Sequence, residues 1–323
     1  MSSPTVNQIS PIQVGLNSAD ISGSLRLYSD LGFKNGGGHM IWGRPMNIQG
    51  LPDSARGLMW WLVAGQKRTQ LEFFSLDNPP QKPLPLDWKC CDIGWTRFGI
   101  RVSDLNAAKQ VLMAWDILVS AEMKDSNGCM RLAFRDPFVG CFVELIESPA
   151  PNVPDERGYH EGIDPTIVYA TNSVPDLEKA RLYYRDVLEL EITDDNDLHA
   201  PEHEQLWDLT GAKSRSFLVK TNTFTLEVVE YISPVGRSKP ASYTVADQGI
   251  LNVAFASTES TPVKRALNRL TENGFNCAET IVMGSACGAY VLEPDSVLEI
   301  CAIPPEIESA FGFEPLAPFF GQQ

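Results

Sequence analysis

The chain has 323 residues, 43% of them hydrophobic, which is enough for about two ordinary domains. Its 41 acidic residues outnumber the 26 basic ones, for a net charge of -15, and no run of five like charges occurs. That balance excludes nucleic acid and anionic membrane surfaces as expected partners, because both need clustered Lys and Arg. The first eleven residues carry neither the basic nor the apolar region of a secretory signal, and no apolar run approaches the ~18 residues that span a bilayer. Seven cysteines, an odd number without a CxxC pair, fit buried thiols in a reducing compartment, so a cytoplasmic location is expected.

In chain order, four segments each predict a short strand, an amphipathic helix and hairpin-connected strands. The first, 10–77, places Ile21, Leu25, Tyr28 and Leu31 at helical spacing in "ADISGSLRLYSDLGF" and closes on the strand "TQLEFFSL". The second, 92–148, repeats this with Leu105, Ala108, Val111, Leu112 and Trp115, and closes on "CFVELIES". A Pro-rich, polar stretch over 151–164 reads as a linker between an N-terminal half, 1–150, and a C-terminal half, 165–303. The third segment, 165–232, starts its helix near Pro175 and closes on "FTLEVVEY". The fourth, 249–303, starts its helix at Thr261–Pro262, stops it at Gly274, and closes on "SVLEICAI". An apolar, non-periodic tail follows over 304–323, suited to cover a cavity mouth or a subunit contact.

Each closing strand holds one glutamate: Glu72, Glu144, Glu227 and Glu299. The spacing is 72 residues within each half and 155 between halves, which is the mark of duplication. Glutamate is a poor strand former and costly to bury unpaired, so its recurrence needs a cause.

The repeated helices, "IVYAT" (167–171) and "DPFVGCFVELIE" make the chain similar to the vicinal oxygen chelate superfamily of glyoxalases and extradiol dioxygenases over roughly residues 10–303. The resemblance implies an α+β fold of four βαβββ modules, paired into two bowl-shaped mixed sheets. In that family a metal usually sits in the bowl, held by histidines from first strands and glutamates from last strands. Here the implied first-strand positions fall on Gln13, Arg97, Thr166 and Asn252, none of them histidine, so no metal ligand is assigned. A non-haem iron site needs two histidines and a carboxylate, and Arg97 would repel a cation.

The site residues expected on this reading are Glu299 as base, Asn252 and Thr166 as hydrogen-bond donors, and His203 reaching in from a lid. Glu227, His199, Arg97, Glu144 and Gln13 are expected to bind substrate, with Arg97 opposite Glu144. Of the remaining histidines, His39 follows a glycine run and His160 lies in the linker. Seven tryptophans point to an aromatic or otherwise apolar small-molecule substrate. Three readings follow. The first is a metal-independent lyase or isomerase working by carboxylate proton transfer, with no cofactor expected. The second is a metal-dependent relative, a ring-cleaving dioxygenase among them, that uses a divalent metal on ligands recruited from His199, His203 and the glutamates. The third is a non-catalytic protein that sequesters a hydrophobic compound. A homo-oligomer is compatible with all three.

Overall fold

The structure, a computed structural model, describes residues 9–147, 162–293 and 296–319; His160 and most of the linker lie outside them. Module 1 comprises β1 (Ser10–Asn17), α1 (Ile21–Asp30), β2 (Lys34–Trp42), the short α2 (Arg44–Asn47), β3 (Arg56–Val63) and β4 (Gln70–Asn78). Module 2 comprises β5 (Gly94–Val102), α3 (Leu105–Ala114), β6 (Val119–Lys124), β7 (Met130–Arg135) and β8 (Phe142–Glu147). Module 3 contains β9 (Thr166–Ser173), α4 (Leu177–Leu182), β10 (Ile192–Thr193), β11 (Lys213–Val219) and β12 (Thr225–Ser233). Module 4 contains β13 (Gly249–Ser257), α5 (Ser260–Glu272), β14 (Ile281–Met283), β15 (Ala286–Val291) and β16 (Leu298–Ala302).

The helices begin where the sequence supplies caps. Asp20, Asp104 and Asp176 each accept a hydrogen bond from the backbone N–H three residues on, at 2.9–3.0 Å. Each satisfies a donor that the first helical turn leaves orphaned. The fourth helix follows Glu259, whose side chain makes no capping bond. One face of each helix packs into a core that joins both sheets, with Leu27, Tyr28, Leu112, Tyr184 and Leu270 fully buried there.

The strands form two eight-stranded mixed sheets. In every module the first strand pairs in parallel with the last. The free edge of each first strand then meets another first strand antiparallel. β1 meets β13, and β5 meets β9. Modules 1 and 4 therefore share one bowl and modules 2 and 3 the other, so each bowl draws on both halves of the chain. Pairing within each half would instead have put Arg97 and Glu144 in one bowl and Thr166, Asn252, Glu227 and Glu299 in the other. The four open edges carry the same pattern, and that pattern alone does not choose partners.

The two bowls repeat each other in detail. A register shift lies between Pro11 and Gln13 in β1, and another between Trp95 and Arg97 in β5. Such bulges re-aim the side chain beside them, here Gln13 and Arg97. Gly15 stands opposite Asn252, and Gly99 opposite Tyr169. A Cβ at either glycine would overlap the facing side chain, so glycine is what lets Asn252 and Tyr169 lie across the neighbouring strand.

Candidate functional site

The ladder registers identify equivalent positions. Glu72 lies beside Gly15, Glu144 beside Gly99, Glu227 beside Thr171 and Glu299 beside Ala254. Two residues earlier on the first strands stand Gln13, Arg97, Tyr169 and Asn252. The third of these positions is Tyr169, not Thr166. Thr166 sits at the start of β9, where its hydroxyl accepts a 2.8 Å bond from Arg101 Nη2.

The module 2/module 3 bowl is filled by its own ion pairs. Arg131 Nε donates to Glu144 Oε1 at 2.5 Å, and the Tyr169 hydroxyl donates to the other oxygen of Glu144. Arg97 Nη2 donates to Glu227 Oε2 at 2.6 Å, and its guanidinium lies 3.6 Å over the Trp207 ring. Arg97 thus faces Glu227 rather than Glu144. All four charged side chains are at most 2% exposed. The plug is the segment 196–209. Its His199 bridges Glu227 at 2.6 Å and Glu204 at 2.8 Å, while His203 lies 2.7 Å from Arg131 Nη1. Burial and the Arg131 charge depress the His203 pKa. Burial disfavours charge on His199 as well, but the Glu227 charge and the bonds to Glu204 and Glu227 outweigh that and lift it to about 8. Glu227 is buried, yet Arg97 and His199 hold its carboxyl well below the usual carboxylate range.

The folded-state pKa of His199 lies above its ordinary 6.5, so its contribution to stability is complete below 6.5 and lost as pH rises through about 8. The stability difference between wild type and His199→Gln, measured by denaturant unfolding, is expected to shrink across that interval. A difference independent of pH would contradict the assignment.

The module 1/module 4 bowl holds a cavity of about 280 Å³. Gln13, Glu72 and Glu299 reach its wall, together with Tyr290, Trp61, Gln49 and Gln70. Trp61 Nε1 donates to Glu72 Oε1 at 2.9 Å, and the Gln13 amide donates to Oε2. Gln70 Nε2 in turn donates to Gln13 Oε1 at 2.8 Å, which sets the Gln13 amide. Gln49 Nε2 donates to the Tyr290 hydroxyl at 3.3 Å. Ile41, Met59 and Phe74 supply an apolar wall. Ala310 and Phe311, at the end of the 3₁₀ turn Pro305–Phe311, close another side, and Arg68 pairs with Glu308 of that turn. Beyond it, Leu316 N–H donates to Asn35 O at 2.7 Å, so the tail lies across module 1.

No guanidinium stands between these two carboxyls. Burial, then the charge on Glu299, raises the Glu72 pKa well above its ordinary value. Burial raises Glu299 to about 7, although bonds from Tyr290 and Asn252 oppose the shift. Glu299 keeps some exposure to the cavity whereas Glu72 is 5% exposed, so a proton can reach Glu299 from the cavity side. Asn252 is fully buried, and neither polar atom of its amide completes a hydrogen bond of good geometry with a protein partner.

Of the expected site residues, then, the fold brings Gln13, Asn252 and Glu299 to one bowl, with Glu72. It sends Arg97, Glu144, Glu227, His199 and His203 to the other, and leaves Thr166 at a strand end. Tyr290, Gln49 and Gln70 carried no sequence signal. Tyr169 did: carrying the 155-residue spacing from Gln13 lands one residue short of it.

The implied metal can be tested against these donors. In the module 2/module 3 bowl two guanidiniums already neutralise the carboxylates, and a cation does not fit. In the module 1/module 4 bowl two carboxylates and the amide oxygen of Asn252 beside Glu299 offer an all-oxygen set, which suits a hard divalent cation of the Mg²⁺ or Mn²⁺ kind. Among the described residues no three His, Cys, Asp or Glu side chains converge on a metal position, so such an ion would depend on amide oxygens. His39 is the one histidine among the described residues lining the cavity, and a two-histidine iron site needs another.

No family profile matches the chain, and no curated protein sequence does. Solved structures do. A candidate dioxygenase from Bacillus subtilis superposes with a TM-score of 0.64 at 12% identity, covering 96% of this chain and 92% of that one. Glyoxalase I from Zea mays superposes at 0.59 and 12% identity, covering 94% and 95%. A point variant of the maize enzyme gives 0.60 at 13%, covering 91% and 94%. Identities this low speak to architecture, and with the module order and ladder registers they lead to one conclusion: the chain has the four-module vicinal oxygen chelate fold of glyoxalases and dioxygenases.

Proposed function

We propose that the module 1/module 4 bowl is the active site of a lyase or isomerase that transfers a proton within an apolar, oxygenated small molecule. The observation that carries this reading is Glu299, a carboxyl raised to about 7 beside a second buried carboxyl in a cavity. A general base works best when its pKa lies near the working pH. Ionising Glu299 raises the proton affinity of Glu72, so the pair holds one proton near neutrality: one carboxylate accepts while its neighbour remains an acid. Ile41, Met59 and Phe74 take the apolar body of the substrate. Tyr290 and Asn252 offer donors to an oxygen on which charge develops, and the turn carrying Phe311 limits water.

The Asn252 amide beside Glu299, which makes no well-formed hydrogen bond, favours a second form of the same site, in which Glu72, Glu299, Asn252 and a turned Gln13 would hold a hard divalent cation. Such an ion would polarise a substrate oxygen. The ring-cleaving alternative loses support, because His199 and His203 are tied to Glu204, Glu227 and Arg131 in the other bowl.

The test is turnover of a panel of single-ring carbonyl and phenol compounds, followed by NMR of the exchanging or rearranged C–H. The expected result is a rate that rises with pH through about 7, the value of the free Glu299 carboxyl. No turnover, or a rate indifferent to pH across that range, overturns the proposal. Tight binding without turnover would instead make the protein a binder.

A further inference from the structure

We infer that the module 1/module 4 cavity selects against anions and takes an uncharged ligand of about one ring with short substituents. This rests on the reading that this bowl is the binding site, and it adds the charge and size of what binds there.

The charge argument begins with the wall. Among the described residues lining the cavity there is no lysine and no arginine, while Glu72 and Glu299 both reach it. The arginines nearest to it in sequence are already engaged: Arg44, beside the wall residue Pro45, pairs with Glu279 at 2.8 Å, and Arg68 pairs with Glu308. Beside the two carboxyls, the polar groups on the wall are the His39 imidazole, the Gln49 amide, the Tyr290 hydroxyl, the Gln13 amide already bonded to Glu72 and Gln70, and Gln70 itself, whose Oε1 is buried without a hydrogen-bond partner. An anion entering this space would lose its hydration, gain no countercharge, and lie near two carboxyls. A carbonyl or hydroxyl can use the amides and the tyrosine instead.

The other bowl sharpens the contrast. Arg97 and Arg131 are the cations that would recognise an anion, and both are fully buried in pairs with Glu227 and Glu144. The duplicated fold has thus put its guanidiniums in the bowl that is filled and kept them out of the bowl that is open.

Size follows from volume. An engineered apolar cavity of about 150 Å³ accepts benzene. The present cavity, at about 280 Å³, has room for one ring and a short substituent. Drug-sized ligands occupy pockets from about 300 Å³ upward.

Two probes of nearly equal shape test this by isothermal titration calorimetry with the full chain: 4-ethylphenol, neutral, and 4-methylbenzoate, anionic. The phenol is expected to bind, and the benzoate to bind about 100-fold more weakly or not at all. Glu299→Gln and Glu72→Gln are expected to narrow that gap by strengthening benzoate binding. Benzoate binding as tight as phenol binding overturns the inference, as does failure of the phenol to bind. A gap unchanged in both variants overturns it too, since it would place the discrimination elsewhere. Because the readout is affinity, absence of turnover would refute the proton-transfer proposal and leave this result standing.

Discussion

Replacing Glu299 by Gln is expected to lower turnover by about 10²- to 10⁴-fold while changing ligand affinity only a few-fold. Gln keeps the length and the hydrogen-bonding shape of the side chain and removes its ability to take a proton. The loss should therefore fall on kcat, because the interaction is made only as the proton moves. Stability should shift in a defined sense. The Glu299 carboxyl titrates at about 7 in the folded protein against an ordinary 4.5, so its contribution is complete below 4.5 and lost as pH rises through about 7. The variant should be flatter over that interval than wild type. Equal losses in kcat and affinity would make Glu299 a binding group only.

Replacing Arg131 by Met is expected to do the opposite. It leaves Glu144 fully buried with only the Tyr169 hydroxyl as partner, and removes the bonds from Arg131 to the plug at Leu198 O (2.9 Å) and His203. Stripping one partner from a buried ion pair costs about 3–5 kcal/mol, a large part of the roughly 5–15 kcal/mol that holds a typical domain together. The denaturant midpoint should fall accordingly. Adding Glu144→Gln should restore much of the loss, since no uncompensated charge then remains. Affinity for 4-ethylphenol should persist in the folded fraction, because Arg131 lies in the other bowl. A midpoint within about 0.5 kcal/mol of wild type would show that the pair contributes little.

Much of this architecture was legible in the sequence because duplication repeats what folding needs. The periodic faces that mark α1 and α3 are the faces that pack into the core joining both sheets. The regularly recurring glutamates all lie on last strands. What pattern does not encode is which open first-strand edge meets which. β1 with β13 and β5 with β9 satisfy the same alternation as the pairings within each half would. That single choice decided the site, since it separated Glu227 from Glu299 and brought Glu227 to Arg97 as its partner. It also made His199 and His203 part of a plug.

The residues that reading missed were missed for physical reasons. Tyr169 lay hidden because the start of its strand is not marked in the sequence and the position was set three residues early, at Thr166, although Gly99 opposite is a sign that something bulky crosses there. Arg131 is the second residue of β7, with nothing in its sequence neighbourhood to mark it as the partner of Glu144. Tyr290 and Gln49 reach the cavity only through pairings between distant segments. Trp60 and Trp61 are neighbours in β3 and so take opposite faces: Trp61 turns into the bowl to bond Glu72, while Trp60 packs against the core on the other face and bonds Asn35.

The central claim is that Glu299 holds its proton to near neutrality in an open bowl. Carbon-13 NMR of a glutamate-labelled chain measures this directly. The account predicts a carboxyl resonance titrating near 7 in wild type and absent from Glu299→Gln. A Glu299 resonance that titrates below about 5, like an ordinary solvated glutamate, would contradict it.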